Sequence, residues 1–237
     1  MRYPAICQTC IDEWVKEGLS SDEIVNRLGA SHMTLISPTL HEGTCPNGHT
    51  TRYWSSVHLY DLLYQKAIVN LAQRDMRSAV TNFYSAWENF VGHTVNLLLK
   101  EFGAPRECLS SIQRAEPLLG AYMALSAAKS KKSPQKIRDD STKIRNKILH
   151  SDLIPSDKEA ITVGKEVQAL IQAARKELHP LHYDYSFGPE ADDRMEKDIQ
   201  KSGLDEVRPM WVNSWIDYDL EKKVSEIQIE IDTNKKG

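Results

Sequence analysis

Apolar residues recur at intervals of three and four over two long segments near the middle of the chain. The segments are LYDLLYQKAIVNLAQRDM (59–76) and RSAVTNFYSAWENFVGHTVNLLLKEFG (77–103). This spacing places apolar side chains on one face of a helix, and both segments are far longer than strands. Gly103, followed closely by Pro105, predicts the end of the second helix.

Three further segments have a helical pattern. In residues 108–129 we expect a helix with a break or a start at Pro117, because proline lacks the amide donor. Pro134 opens PQKIRDDSTKIRNKILH (134–150). The segment PSDKEAITVGKEVQALIQAARKEL (155–178) begins with Ser156 as the expected cap and Glu159 in the capping-box position.

The helical period is lost after residue 180. Near the C-terminus, in VSEIQIEID (224–232), apolar residues mostly alternate with polar ones, which predicts a strand. A single strand needs a partner, and we expect the N-terminal module or a second chain to supply it. The patterns together predict a mainly α protein: a helical bundle (56–180) between a small N-terminal module (1–55) and a C-terminal extension (181–237) ending in a β-strand.

Cysteines and a histidine are spaced like metal ligands in the N-terminal module. Cys7 and Cys10 form CQTC, and Cys45 and His49 lie in TCPNGHT, within one tight turn. Two such pairs can supply the four tetrahedral ligands of Zn²⁺, and a closed Cys₃His set leaves no position for a catalytic water. We therefore predict a zinc-ribbon-like module with a structural zinc ion. The alternatives are a redox CxxC motif and chance pairing. Either of the two histidines inside the insert, His32 or His41, could replace His49 as a ligand.

The formal net charge of −3 gives no overall attraction to nucleic acid, so such binding requires a local patch. Residues 129–147 are rich in lysine and arginine, and Lys136, Lys143 and Lys147 are our candidate RNA contacts. A solvated loop and helix face is the alternative interpretation.

The opening segment contains no continuous apolar stretch of the secretory type, and no run approaches about 18 apolar residues. We therefore expect a cytoplasmic protein that does not contact a membrane.

The stretch KIRNKILHSD (143–152) combines three groups suited to phosphate chemistry. Arg145 offers a planar, permanently charged fork, Asn146 an amide, and His150 an imidazole that exchanges a proton near neutral pH. Five positions correspond to about 140° around a helix, but a helix end at His150 would let the polar tips converge. In the alternative interpretation, Arg145 pairs with a nearby aspartate and His150 packs at a helix terminus. Asn82 and Glu88 on the second long helix could project toward the motif as supporting groups, but such residues more often face solvent, and neither is counted as catalytic.

The segment RNKILH, with its basic helix before it and its turn and capped helix after it, resembles the R-x4-6-H signature of the HEPN superfamily. The pair of long helices is similar to that family's opening hairpin, so the resemblance covers about residues 56–180. It implies an HEPN-like bundle of four or five helices that pairs as a homodimer, and a metal-independent endoribonuclease of a toxin or antiviral (phage) defence system.

The resemblance also implies roles for the three residues. Arg145 would bind the scissile phosphate, His150 would act as general base or acid for attack of the ribose 2′-hydroxyl, and Asn146 would orient one of them. RNA is then the substrate, no metal is required for catalysis, and a regulatory protein partner is expected. The alternatives are a non-catalytic RNA- or nucleotide-binding adaptor, and a protein whose zinc module is the interaction surface for nucleic acid or protein.

Overall fold

The structure is a computed structural model, and the part of the 237-residue chain that it describes comprises residues 2–3, 7–20, 31–35, 40–45, 47–55, 58–105, 108, 112, 115–179, 181–182, 189–202, 207–210, 216 and 219–234. The elements, in chain order, are β1 (Arg2–Tyr3), α1 (Gln8–Lys16), β2 (Ser31–Leu35), β3 (Leu40–Thr44), β4 (Thr50–Ser55), α2 (Leu59–Ala72), α3 (Met76–Glu101), α4 (Ala115–Ser130), α5 (Asp139–His150), α6 (Asp157–Glu177), α7 (Pro189–Ser202), β5 (Val207–Met210) and α8 (Leu220–Asn234). The fold is mainly helical, as the sequence predicts.

Two compact units divide the chain. We call Met1–His58 with Ser186–Val212 the N-terminal unit, and Leu59–Tyr185 with Asn213–Gly237 the helical unit. Residues 181–237, predicted as one extension, are shared between both units. The reason is that β5 joins the sheet of the N-terminal unit, while α8 packs on the helical core.

The N-terminal unit is built on a sheet with strand order β1-β2-β3-β4-β5. Neighbouring strands are antiparallel except for β4 and β5, which pair in parallel with Arg52 opposite Val207. Trp54 on β4 is almost fully buried, and its indole Nε1 donates a hydrogen bond to Asp198 on α7 at 3.0 Å. The guanidinium of Arg194 lies 5.5 Å from the centre of the Trp54 ring. The tryptophan thus ties α7 to the sheet.

The strand predicted near the C-terminus is wrong, because these residues form α8. Val224, Ile227 and Ile231 are spaced three and four apart, so the alternating sequence also satisfies a helical period. Val224 and Ile227 pack against the core, whereas Ile229 is 67% exposed. Contact with the bundle selects the helix over the strand.

The described residues of the helical unit include a large apolar core, to which α2–α6 and α8 contribute. Aromatic side chains fill its centre: Tyr64 and Phe83 lie 5.1 Å apart, and the ring of Trp87 stacks on Phe90 at 5.9 Å. The glutamines Gln168 and Gln172 both donate to the backbone oxygen of Ile216, which anchors the chain ahead of α8.

The predicted helix ends agree with the structure in most places. After α3, Gly103 has φ +68°, the left-handed conformation expected after a helix. The capping box of α6 is present, with Ser156 and Glu159 each bonding the other's backbone amide. Pro117 lies in the first turn of α4 and does not interrupt it, because the first-turn amides have no helical partner to lose. In contrast, α5 begins at Asp139 and not at Pro134.

Among the helices that the structure describes, none combines the length and the apolar character needed to cross a membrane.

Candidate functional site

The predicted metal ligands come together in the N-terminal unit. Cys7 is the N-cap residue of α1 and Cys10 lies in its first turn, while Cys45 and His49 flank the turn between β3 and β4. Within that turn the amide of Gly48 donates to the carbonyl of Cys45 at 2.9 Å, and Gly48 has φ +82°, which a residue with a side chain rarely adopts. One pair is therefore supplied by a helix start and the other by a hairpin turn.

The four side chains have the spacing of a tetrahedral metal site. Their ligand atoms all lie within 4.8 Å of one another. The Sγ atoms of Cys10 and Cys45 are 3.6 Å apart, and His49 Nδ1 is 3.3 Å from the sulfur of Cys10 and 3.7 Å from that of Cys7. A tetrahedron with Zn–S near 2.3 Å and Zn–N near 2.0 Å has edges of about 3.8 Å between sulfurs and about 3.5 Å between sulfur and nitrogen.

The chemistry of the ligand set also fits zinc. The three cysteines are buried and free of disulfides. Burial and the neighbouring Cys45 thiol raise the pKa of Cys10 to about 12, so that without a cation this thiol keeps its proton. A divalent ion replaces such protons, because thiolates are the metal ligands. Asn47 Nδ2 donates to Cys10 Sγ at 3.4 Å and would support the thiolate.

Cys7, Cys10, Cys45 and His49 could thus hold a zinc ion, and no other cluster of this kind occurs in the described part of the chain. The backbones of His32 and His41 lie on β2 and β3, but their side chains are outside the described residues.

The second candidate site is on α5 of the helical unit. Arg145 is half-buried against α3: its Nη2 lies 3.1 Å from Glu88 Oε1, and its guanidinium carbon is 5.9 Å from the centre of the Tyr84 ring. Its Nη1 donates to Asn146 Oδ1 at 3.1 Å. Burial raises the pKa of Tyr84 to about 12, so the phenol keeps its proton and donates to Thr142 at 3.0 Å. These contacts fix the guanidinium in one orientation.

His150 is the last residue of α5, as the sequence predicts, and it is exposed. The preceding turn is held by Arg77 on α3, whose Nη2 donates to the carbonyl of Ile148 at 2.7 Å. No hydrogen bond joins the side chains of Arg145 and His150, both of which the structure describes. Within one chain, the contacts of Arg145 and those of the final α5 turn are with different parts of α3.

The candidate RNA-binding lysines are exposed, but two have acidic neighbours. Lys136 lies 4.0 Å from Asp139, and Lys143 lies 3.3 Å from Asp140. Such exposed pairs are worth at most about 1 kcal/mol, so a polyanion can displace them. Lys147 is exposed on the same helix. Asp139 and Asp140 therefore lie near lysines and Asp152 lies near Arg77, whereas Arg145 pairs with Glu88.

Glu88, which the sequence offers only as a possible supporting residue, is in contact with Arg145. Arg77, Tyr84 and Glu88 are seven and four residues apart, so they share one face of α3, and that face contacts α5. The sequence shows that these three residues share one face of a helix. It does not show that this face packs against α5.

The start of α5 is fixed by Glu166 on α6. The Glu166 carboxylate accepts from the amide of Arg138 at 2.5 Å and from the hydroxyl of Ser141, and it lies 3.2 Å from the Arg138 guanidinium. A carboxylate at a helix N-terminus satisfies free amides and matches the helix dipole.

Comparisons with protein families, with curated proteins and with solved structures found no match to this chain.

Proposed function

We propose that the helical unit is a metal-independent endoribonuclease of the HEPN type with Arg145, Asn146 and His150 as its catalytic residues. The observation that carries the proposal is the arrangement on the second half of α5. A guanidinium oriented by Asn146 and Glu88 shares this half-helix with an exposed imidazole at its end. This combination provides a fixed positive charge for a phosphate and a group that can transfer a proton.

The reaction would proceed by attack of a ribose 2′-hydroxyl on the adjacent phosphorus. His150 would take the proton of that hydroxyl or give a proton to the leaving 5′-oxygen. Arg145 would stabilise the negative charge that develops on the phosphoryl oxygens, and Asn146 would hold the Arg145 guanidinium in place. The products would be a 2′,3′-cyclic phosphate and a 5′-hydroxyl, and DNA would not be cut because it lacks the attacking hydroxyl.

A homodimer would complete the centre. Residues five apart on a helix point about 140° away from each other and are about 7.5 Å apart along the axis. Two copies related by a two-fold axis would place His150 of one chain opposite Arg145 of the other. Leu149 and Ile154, on either side of His150, are 48% and 74% exposed and would be covered in such a dimer.

Zinc has no step in this reaction. The Cys₃His set provides all four ligands, so the ion would crosslink α1 to the β3–β4 turn and stabilise the N-terminal unit. That unit is the expected docking surface for a regulatory protein partner, which a ribonuclease in a toxin or phage-defence role requires.

Cleavage of total RNA and transfer RNA by the zinc-loaded protein in EDTA tests the proposal. Wild type should cut and leave cyclic phosphate ends, and His150→Ala and Arg145→Ala should lose at least about 100-fold in rate, the usual contribution of an acid–base or electrostatic group. Lys158→Ala, which changes an exposed lysine on α6, is the matched control and should cut like wild type. Equal cutting by wild type and both site variants would refute the proposal.

A non-catalytic RNA-binding adaptor is the second candidate. The observation in its favour is that the Arg145 guanidinium already forms an ion pair with Glu88, as a purely structural arginine would. In that case no variant cuts RNA, Arg145→Ala weakens RNA binding, and His150→Ala leaves binding unchanged.

A further inference from the structure

We infer that Arg77 binds an RNA phosphate beside the His150 end of α5, as a substrate-positioning contact distinct from Arg145. The inference rests on the proposed function, because it concerns the same RNA. Arg77 would affect the affinity for RNA and the position of the RNA strand at the site, and it takes no part in bond breaking.

The first argument is position along α3. Arg145 contacts Tyr84 and Glu88, whereas Arg77 contacts the carbonyl of Ile148, two residues before His150. Seven residues separate Arg77 from Tyr84, which is about 10 Å of helix. The guanidinium that contacts the last turn of α5 is therefore that of Arg77. Arg77, on α3, and Arg145, on α5, therefore lie at different points along α3, so their guanidiniums can contact different phosphates of one strand.

The second argument is the capacity of the Arg77 side chain. A guanidinium has five N–H donors, and the Ile148 carbonyl uses one of them, on Nη2. Its Nη1 lies 4.0 Å from Asp152 Oδ1, beyond hydrogen-bond distance, and the Asp152 side chain is fully exposed. The Arg77 side chain is 44% exposed. The remaining N–H groups of Arg77 can donate to an anion, and the hydrogen bond to Ile148 holds the guanidinium in place.

The third argument is local charge. The C-terminal end of a helix carries partial negative charge, which disfavours a phosphate. At this end of α5, Arg77 satisfies the Ile148 carbonyl, and Lys147 is exposed one residue away in sequence. Together with the carboxylate of Asp152, these two cations leave a net positive charge beside this helix end, so a polyanion can approach His150.

The test is the salt dependence of RNA binding, measured by fluorescence anisotropy with a short labelled single-stranded RNA. All proteins carry His150→Ala, which prevents cleavage during the titration. Each phosphate contact contributes about 0.7 to the slope of log K against log salt for single strands. Arg77→Gln keeps a donor for the Ile148 carbonyl but removes the charge, so we expect a slope smaller by about 0.7 and binding about fivefold weaker near 0.1 M salt.

Two control variants separate this contact from general effects. Arg74→Gln removes the same charge three residues earlier, from a side chain that pairs with Asp157, and should leave the slope unchanged. Arg77→Lys keeps the charge and should keep the slope. A merely structural role for Arg77 would lower the melting temperature of Arg77→Gln without moving the slope.

The outcomes of the titration are distinct. An Arg77→Gln slope equal to that of the Arg74→Gln control overturns the inference, while RNA binding by all variants leaves the proposed function standing. If the parent protein binds no RNA at any salt concentration, the proposed function and this inference fail together. If it binds RNA and wild type does not cleave, only the catalytic proposal fails.

Discussion

The two units are held together by different means. In the N-terminal unit, Cys7, Cys10 and Cys45 form a small buried cluster with Trp14 packed against it. Among the described residues of the helical unit, α2–α6 and α8 contribute to a large apolar core. Among the described residues of the N-terminal unit, the other buried apolar side chain is that of Trp54, so little apolar burial offsets chain entropy there, whereas a large core can offset it. Stability in the first unit should therefore depend on a metal ion, and in the second on packing.

The largest expected effect is that of removing the metal. Binding of a structural zinc ion contributes about 10–16 kcal/mol in zinc-finger peptides, which exceeds the stability of a small unit. Cys45→Ser should lose zinc and unfold the N-terminal unit, while most of the helical circular dichroism remains. Zinc content by mass spectrometry and amide NMR spectra measure the two effects.

Cys108→Ser is the matched control, because Cys108 lies outside the cluster. It should bind one zinc ion per chain like wild type. Full zinc content and an unchanged NMR spectrum in Cys45→Ser would show that the proposed difference between the units does not exist.

The second effect is a loss of stability of the helical unit in acid. His182 is buried, with its ring stacked on Phe90 at 5.4 Å, and His93 lies 5.7 Å from it. Burial, with smaller effects of Arg175 and His179, lowers the pKa of His182 to about 4. The unfolded chain takes up the proton near pH 6.5 and the folded chain only near pH 4, so stability falls through this window, by about 3 kcal/mol.

Denaturant unfolding at several pH values between 7 and 4 measures this loss. His182→Phe should remove about that much of the pH dependence, because phenylalanine can stack on Phe90 and does not titrate. His179→Gln, which changes the exposed histidine one turn earlier, should keep most of it. The same pH dependence in wild type and His182→Phe would contradict the assignment.

A third, smaller effect tests the packing of the core directly. A Cβ atom on Gly164 of α6 would lie 2.7 Å from Phe83 Cζ and 2.8 Å from Leu220 Cδ2, both of which are buried. Overpacking costs about 1–3 kcal/mol, and the gain in helix propensity returns up to about 1 kcal/mol. We expect Gly164→Ala to lower the free energy of unfolding by about 1 kcal/mol.

Gly120 on α4 provides the opposite case, because nothing lies within 4 Å of its Cβ position. Gly120→Ala should therefore stabilise the unit by up to about 1 kcal/mol. Thermal unfolding of the two variants measures both changes. If they shift the melting temperature in the same direction, packing does not control this part of the helical unit.

The smallest effect concerns the candidate RNA site, where the side chains are exposed. Glu88→Gln removes the partner of Arg145, but solvent screening limits the loss of stability to less than about 1 kcal/mol. RNA binding should tighten a few-fold, because the guanidinium no longer has a competing carboxylate. Glu101→Gln breaks a comparable exposed pair with Lys129 and should leave RNA binding unchanged. Weaker RNA binding by Glu88→Gln would mean that the orienting effect of Glu88 on Arg145 outweighs its competition with RNA.

The sequence by itself determined the elements whose signals are local. Apolar residues at intervals of three and four specify α2 and α3, the Ser156–Glu159 pair starts α6, and His150 ends α5. The four residues that could hold a metal could also be chosen in advance from their short spacings, although His32 and His41 were alternatives to His49. These features depend on residues close together in the chain.

Tertiary contacts decided the rest. The pattern of residues 224–232 fits a strand and a helix equally, and the core beside Val224 and Ile227 selects the helix. Likewise, only the folded chain brings Glu88 to Arg145 and Arg77 to the last turn of α5, across 57 and 71 positions of sequence. The spacing of residues fixes which side chains share a face, but the identity of the opposite face depends on how the whole core packs.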